Sequence, residues 1–217
     1  MINTVIFDMD GVIIDSEPIH QKLEREFFIQ LGLDLSEKEL KSFTGQSGKN
    51  IFAYLKNTYG LSQSVEWLEK KSTERFLNYL SQQEKMTPIE GVQPLIEELL
   101  EKNIQLILAS SAVMKNIEMV MEMFDFQHYF PIRLSGADLE HSKPHPEIFF
   151  KAARLGKTSA EKCVVIEDSA NGVKAAKAAG MKCIGFQNPN SGNQDIQLAD
   201  LIVHSIGELN AERILSL

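Results

Sequence analysis

The sequence predicts an α/β fold: a parallel sheet with helices on both faces, interrupted early by an all-helical insertion. Three observations carry this reading. Short apolar runs at residues 2–7, 104–109, 163–166 and 182–186 alternate with stretches of helical periodicity. Strand–helix–strand repetition requires crossovers, and crossovers build parallel sheets covered on both faces. The first run is separated from its companions by residues 16–85, which show no convincing strand. Several of the runs also end abruptly in polar side chains, and an open α/β sheet binds ligands beyond the carboxyl ends of its strands.

A chain of 217 residues suits one large domain or a domain with a modest insertion. The expected division is 1–15 with 86–217 as a core and 16–85 as an inserted helical cap. A hydrophobic content of 43% and a charged content of 24% are those of a soluble globular protein. The net charge of −8 and pI near 5.2 argue against wholesale binding of nucleic acid or anionic membrane. They leave room for a small anion at a locally basic site. No apolar run approaches the roughly 18 residues of a membrane span. The first residues lack a basic segment followed by a long apolar one, so no secretory signal is expected. Cys163 and Cys183 each stand in a strand-like run and read as buried, reduced thiols of a cytoplasmic protein.

In chain order, residues 2–7 form the first strand and run into Asp8-Met9-Asp10-Gly11. Buried like charges resist ionising together, so Asp8 and Asp10 require a cation, a proton or donors. Gly11 lets the backbone turn and approach a ligand. Read alone, the stretch suits a solvated Asp turn equally well. Asp15 or Ser16, with Pro18 close behind, opens a helix. Leu23, Phe27, Ile29, Leu31 and Leu33 approximate its apolar face, and Gly32 closes it. Helical segments at 36–43, 50–59 and 64–80 follow, with a small polar loop at 44–49.

After Met86-Thr87-Pro88 the texture changes. Val92, Leu95, Ile96, Leu99 and Leu100 trace one face of an amphipathic helix. The strand 104–109 ends in Ser110-Ser111, and a helix carrying Ile117, Val120, Met121 and Phe124 follows. Ser111 reads either as a phosphate contact or as the N-cap of that helix. A short strand at 132–135 precedes the loop 141–146, where Pro144 and Pro146 stiffen the chain around Lys143 and open a helix at 147–155. The strand 163–166 ends in Glu167-Asp168-Ser169, and a helix over 170–179 stops at Gly180. Strands at 182–186 and 200–203 and a short helix near 206–214 complete the chain. Asp15 and Ser169 read as loop and cap residues, and Asn171-Gly172 as a close strand–helix approach.

The strand ends thus gather acids, a hydroxyl and a cation on one rim. Asp8, Glu167 and Asp168 suit magnesium (Mg²⁺), which prefers oxygen ligands. Ser110, Lys143 and neighbouring loop amides suit a phosphoryl group.

Four motifs in this order resemble the haloacid dehalogenase superfamily in its branch with a helical cap: Asp8-Met9-Asp10-Gly11-Val12 with Asp15-Ser16, then Ser110, Lys143 and Glu167-Asp168. Asp15-Ser16-Glu17-Pro18, Ser142-Lys143-Pro144-His145-Pro146 and Glu167-Asp168-Ser169-Ala170-Asn171-Gly172 are similar to its β-phosphoglucomutase-like and sugar-phosphatase group. The resemblance implies Asp8 as nucleophile and Asp10 as general acid and base. It implies Mg²⁺ held by Asp8, the Asp10 carbonyl, Asp168 and Glu167, with phosphate held by Ser110 and Lys143. It further implies a monomer acting on a small phosphorylated metabolite, with a cap hinged near residues 15–18 and 86–88.

Dehalogenases of the superfamily attack carbon and need neither a second acid nor magnesium, so Asp10 and Glu167-Asp168 speak against that activity. The alternative is a β-phosphoglucomutase, whose cap grips a second phosphate through a Gly-x-Ser-Arg loop. Here the loop is Gly45-Gln46-Ser47-Gly48-Lys49, with glycine in place of the arginine, and lysine lacks the guanidinium fork. A phosphatase is therefore the expected activity, with Ser47, Lys49 and His20 as candidate substrate contacts in the cap.

Overall fold

The computed structural model describes residues 1–44, 46–83 and 86–217. Gly45 of the polar loop and residues 84–85 at the expected edge of the insertion lie outside the described residues. The chain divides into two compact units, Met1–Asp15 with Thr87–Leu217 and Ser16–Met86.

The larger unit begins with β1 (Thr4–Phe7), in which every residue is buried. The smaller unit is helical: α1 (Glu17–Gln30), α2 (Glu37–Phe43), α3 (Gly48–Tyr59) and α4 (Val65–Leu80). Serines set its helix starts. Ser36 forms a reciprocal capping box with Glu39, and the Ser47 and Ser64 hydroxyls accept from the Asn50 and Trp67 amides. Such caps supply partners for amides that the helix cannot bond itself. An aromatic cluster forms the core of this unit, with Phe28 meeting Phe43 and Phe52 edge-on at ring separations of 6.0 and 6.4 Å.

The remainder belongs to the larger unit: α5 (Val92–Glu101), β2 (Gln105–Ser110), α6 (Met114–Met123), β3 (Ile132–Ser135), α7 (Glu147–Leu155), β4 (Cys163–Glu167), α8 (Ala170–Ala178), β5 (Lys182–Phe186), β6 (Leu201–Val203) and α9 (Ala211–Leu215). Among the described residues the strands form one six-stranded sheet in the order β3-β2-β1-β4-β5-β6. Every pairing is parallel. Helices cover both faces, so β1, β2 and β4 read as continuous apolar runs rather than alternating ones. One apolar cluster joins Ile6, Ile107, Val165 and Cys183 of the sheet to Phe149 of α7 and Val173 of α8. Both cysteines are buried free thiols. No helix among the described residues is long and apolar enough to cross a membrane.

Several local expectations are corrected. Ile29 is 66% exposed, whereas Phe28 is buried; the aromatic core takes the larger ring, which turns Ile29 outward. The helix expected from residue 50 starts at Gly48, because Ser47 caps it two residues earlier. Ser111 is not a cap: α6 starts after Val113, without a side-chain cap. The single helix expected near 206–214 is a 3-10 turn at Ile206–Glu208 followed by α9, because Ser205 and Asn210 each cap a separate start.

Candidate active site

The sheet order places β1 between β2 and β4, and this builds the site. Phe7 pairs with Leu108 on one side and Ile166 on the other. One step further, Asp8 stands level with Ala109 and Glu167, and its amide donates to the Ile166 carbonyl at 3.0 Å. The turn that follows is tight. The amides of Val12, Ile13 and Ile14 all reach the Met9 carbonyl, and Gly11 adopts φ +77°. A Cβ on Gly11 would lie 1.9 Å from Asp168 Oδ2, so glycine is required there for space as well as conformation.

Lys143 joins the strand ends. Its Nζ lies 2.6 Å from Asp8 Oδ1, 2.7 Å from Glu167 Oε1 and 3.2 Å from the Ala109 carbonyl oxygen. An ammonium has three donors, and three acceptors meet it. The Lys143 side chain is 6% exposed, so this is a desolvated ion cluster rather than a solvated surface pair.

Glu167 is held at its other oxygen as well. Its Oε2 accepts from the Ser169 amide at 2.8 Å and the Ser169 hydroxyl at 2.9 Å. Ser169 in turn caps α8 by accepting from the Gly172 amide at 3.0 Å. A Cβ on Gly172 would fall 1.6 Å from Glu167 Oε1. The glycine therefore admits the carboxylate onto the first turn of α8, where the helix dipole favours negative charge. Ser110, fully buried at the end of β2, accepts from the Ala112 amide at 3.0 Å, and its Oγ lies 3.4 Å from Asp10 Oδ2.

Carboxylate oxygens of Asp8, Glu167 and Asp168 lie within 4.8 Å of one another. Were all three acids ionised, three carboxylates and the Lys143 ammonium would leave two negative charges in a buried volume. Burial pushes the Asp8 carboxyl up to about 8, Glu167 and Asp10 add to the rise, and Lys143 opposes it. Burial, then Glu167 and Asp8, likewise raise Asp168 well above the usual carboxylate range. Burial disfavours the Lys143 ammonium, yet Asp8 and Glu167 together outweigh it and raise its pKa. Without a further cation, burial thus favours the protonated forms of Asp8 and Asp168. Oxygen donors, their burial and the formal excess of negative charge together fit a divalent metal ion.

Of the residues expected from sequence, Asp8, Asp10, Gly11, Ser110, Lys143, Glu167 and Asp168 converge at the ends of β1, β2 and β4. Ser111 follows on the exposed side of Ser110. His20, Ser47 and Lys49 belong to the helical unit. The His20 ring stacks on Phe76 at 4.3 Å and 12°; Ser47 caps α3; Lys49 is exposed on the first turn of α3. Sequence reasoning missed the loop after β5. There Asn188 Nδ2 donates to the Gly11 carbonyl at 2.9 Å, Asn190 Nδ2 to Asp15 Oδ2 at 2.6 Å, and the Ser191 hydroxyl to Asp168 Oδ2. Its only sequence signal is Asn188-Pro189-Asn190-Ser191-Gly192, the composition of an ordinary turn.

The model of a family described as haloacid dehalogenase-like hydrolase matches residues 5–186. Hexitol phosphatase B of Escherichia coli is 33% identical over 215 residues, which cover 97% of this chain and 95% of that protein. The phosphorylated carbohydrates phosphatase of Thermotoga maritima is 31% identical over 180 residues, covering 83% of this chain and 82% of that protein. Among solved structures, CbbY from Rhodobacter sphaeroides in complex with phosphate superposes with a TM-score of 0.87 at 26% identity, covering 100% of both chains.

Proposed function

The chain belongs to the haloacid dehalogenase-like hydrolase family, and we propose that it is a Mg²⁺-dependent phosphatase of a small phosphorylated carbohydrate. The observation that carries the reading is Asp8, buried at the end of β1 and held 2.6 Å from Lys143 within an acidic cluster. The names of the relatives from Escherichia coli and Thermotoga maritima support the substrate class.

In this reading Asp8 attacks phosphorus and carries the phosphoryl group as an acyl phosphate, splitting one hard displacement into two easier ones. Asp10 protonates the departing alcohol oxygen and then takes a proton from the incoming water. Lys143 offsets the charge of nucleophile and phosphate, and the Ser110 hydroxyl donates to a phosphoryl oxygen. Asp8, Asp168 and the Asp10 carbonyl would hold Mg²⁺, which supplies charge neutralisation between carboxylate and phosphate. Both oxygens of Glu167 already accept hydrogen bonds from protein donors, which favours its work as the residue that fixes Lys143. The larger unit is read as the catalytic core and the helical unit as the cap. Substrate choice is assigned, on the sequence resemblance, to His20, Ser47 and Lys49 of that unit.

The test is a panel of hexose and hexitol phosphates, assayed with and without Mg²⁺ for both phosphate release and isomerisation. Release that stops with chelator and with Asp8→Asn is the expected result. No release from any member, or an active Asp8→Asn, would overturn the reading. Isomerisation of β-glucose 1-phosphate outpacing release would replace it with the mutase.

A further inference from the structure

Asp168 has two carboxylate oxygens, and the loop between β5 and β6 takes one of them. The Ser191 hydroxyl donates to Oδ2. Both residues are buried, Ser191 at 4% exposure and Asp168 at 6%. The same oxygen packs against the Gly11 backbone, in the space that a side chain there would fill. Oδ2 is thus bonded on one side and covered on another.

Ser191 itself is braced. Its amide donates to the Asn188 carbonyl at 3.2 Å. Its carbonyl accepts from Gln194 Nε2 at 3.1 Å, and Gln194 Oε1 accepts from the Ala170 amide at 3.0 Å. Ala170 is the first residue of α8, two positions after Asp168. A closed ring of contacts therefore runs from Asp168 through Ala170, Gln194 and Ser191 back to Asp168. The loop also grips the first motif, because the buried Asn188 side chain donates to the Gly11 carbonyl at 2.9 Å. Backbone bonds and apolar packing alone would anchor such a loop. A buried hydroxyl aimed at a carboxylate of the acidic cluster has a narrower use.

We propose that Ser191 is a positioning residue for metal binding: its hydroxyl fixes the rotation of the Asp168 carboxylate so that the second oxygen faces Asp8 and the cation. This rests on the reading of Asp8 and Asp168 as metal ligands. Partners that orient a ligating carboxylate typically influence metal affinity by about 10–100-fold. The hydroxyl has no assigned contact with substrate.

The experiment uses the metal-free full chain. Wild type, Ser191→Ala and Ser191→Cys are titrated with Mn²⁺, read by the electron paramagnetic resonance signal of the free ion. The cysteine variant keeps the volume and weakens the donor, so it decides the matter if the alanine variant does not fold. In parallel, the Mg²⁺ half-saturation of phosphate release and the substrate KM at saturating Mg²⁺ are measured. Mn²⁺ affinity is expected to fall about 10-fold or more in the variants. The Mg²⁺ half-saturation should rise in step, while KM at saturating metal stays at the wild-type value. Equal Mn²⁺ affinity in wild type and a folded variant would overturn the assignment of Ser191 alone. A wild type that binds no Mn²⁺ would overturn the metal reading, and the role of Ser191 with it.

Discussion

At Asp8, burial and nucleophilicity pull in opposite directions. Burial pushes its carboxyl up to about 8 even with Lys143 as an opposing cation, and a protonated acid is a poor nucleophile. A divalent ion held by Asp8 and Asp168, as proposed, would reverse that balance by favouring both carboxylates. Asp10 differs in setting: it is half-buried, and Ser110 lies 3.4 Å from its Oδ2. The proposed mechanism gives these two acids, one residue apart, separate roles, one bonding to phosphorus and one moving the proton. Asp10→Asn keeps an acceptor for Ser110 but cannot move a proton, so kcat should drop by about 10²–10⁴-fold with little change in melting temperature. Steady-state phosphate release on the purified variant measures this, and a kcat within a few-fold of wild type would remove Asp10 from the proton-transfer role. Asp8, Ser110, Lys143 and Asp168 were legible in the sequence because each interrupts an apolar or proline-stiffened stretch with a side chain that burial penalises. Ser191 was not, because its hydroxyl gains meaning only from a carboxylate 23 positions away.

The elements show how the same residues serve both fold and site. Helix α8 begins on Ser169, which caps Gly172 and donates to Glu167 at once. Gly172→Ala sets a Cβ 1.6 Å from the Glu167 carboxylate and forces that side chain off its Ser169 and Lys143 partners. Overpacking of this kind costs about 1–3 kcal/mol, read as a lower urea midpoint, and turnover should fall with it. Gly180→Ala is the control. Its φ is +73° with nothing within 4 Å, so only the backbone strain of about 1–2 kcal/mol applies, and turnover per folded molecule should stay at the wild-type value. On α1, burial pushes the half-buried Glu24 carboxyl from 4.5 up to about 7, against the charge of His20. The folded state then keeps a proton that the unfolded chain releases. That stabilisation is complete below about pH 4.5 and is lost as pH rises through 7. Glu24→Gln mimics the protonated form, so it should match wild type at low pH and exceed it at pH 8; the full shift corresponds to about 3 kcal/mol, and the partial exposure of Glu24 reduces this to about 1–2 kcal/mol. Urea melts at the two pH values test this, and an equal difference at both would sink the assignment. Strands and most helices were legible because apolar runs and Ser or Gly boundaries mark them locally. The buried face of α1 was misread because periodicity alone does not choose between Phe28 and Ile29 when an aromatic cluster supplies the partner.

Over the whole molecule, the order β3-β2-β1-β4-β5-β6 brings the end of β1 at Phe7 between the ends of β2 at Ser110 and β4 at Glu167, both more than a hundred residues further along the chain. The alternation of strands and helices made the sheet class readable, and the polar strand ends made readable which side chains gather at one edge of it. Pairing order, and with it the contact of the β5–β6 loop with the first motif, is a property of the packed sheet and has no local signature. The same convergence concentrates acids: fully ionised, they would exceed Lys143 by two negative charges in a buried volume. An ion that binds this folded cluster and not the unfolded chain adds stability by mass action. At about 100 times its dissociation constant, Mg²⁺ should add about 2.7 kcal/mol. For a domain of this size each kcal/mol moves the midpoint by roughly 2–4 °C, so the melting temperature of the larger unit should rise by roughly 5–10 °C over a chelator control. Asp168→Asn removes one of the acids and should abolish most of the shift, while Asp10→Asn retains its backbone carbonyl and should keep most of it. Melting curves of the three proteins with and without Mg²⁺ make the comparison. A wild-type midpoint indifferent to Mg²⁺, or a full shift in Asp168→Asn, would mean that the buried acids settle their charge by protonation instead.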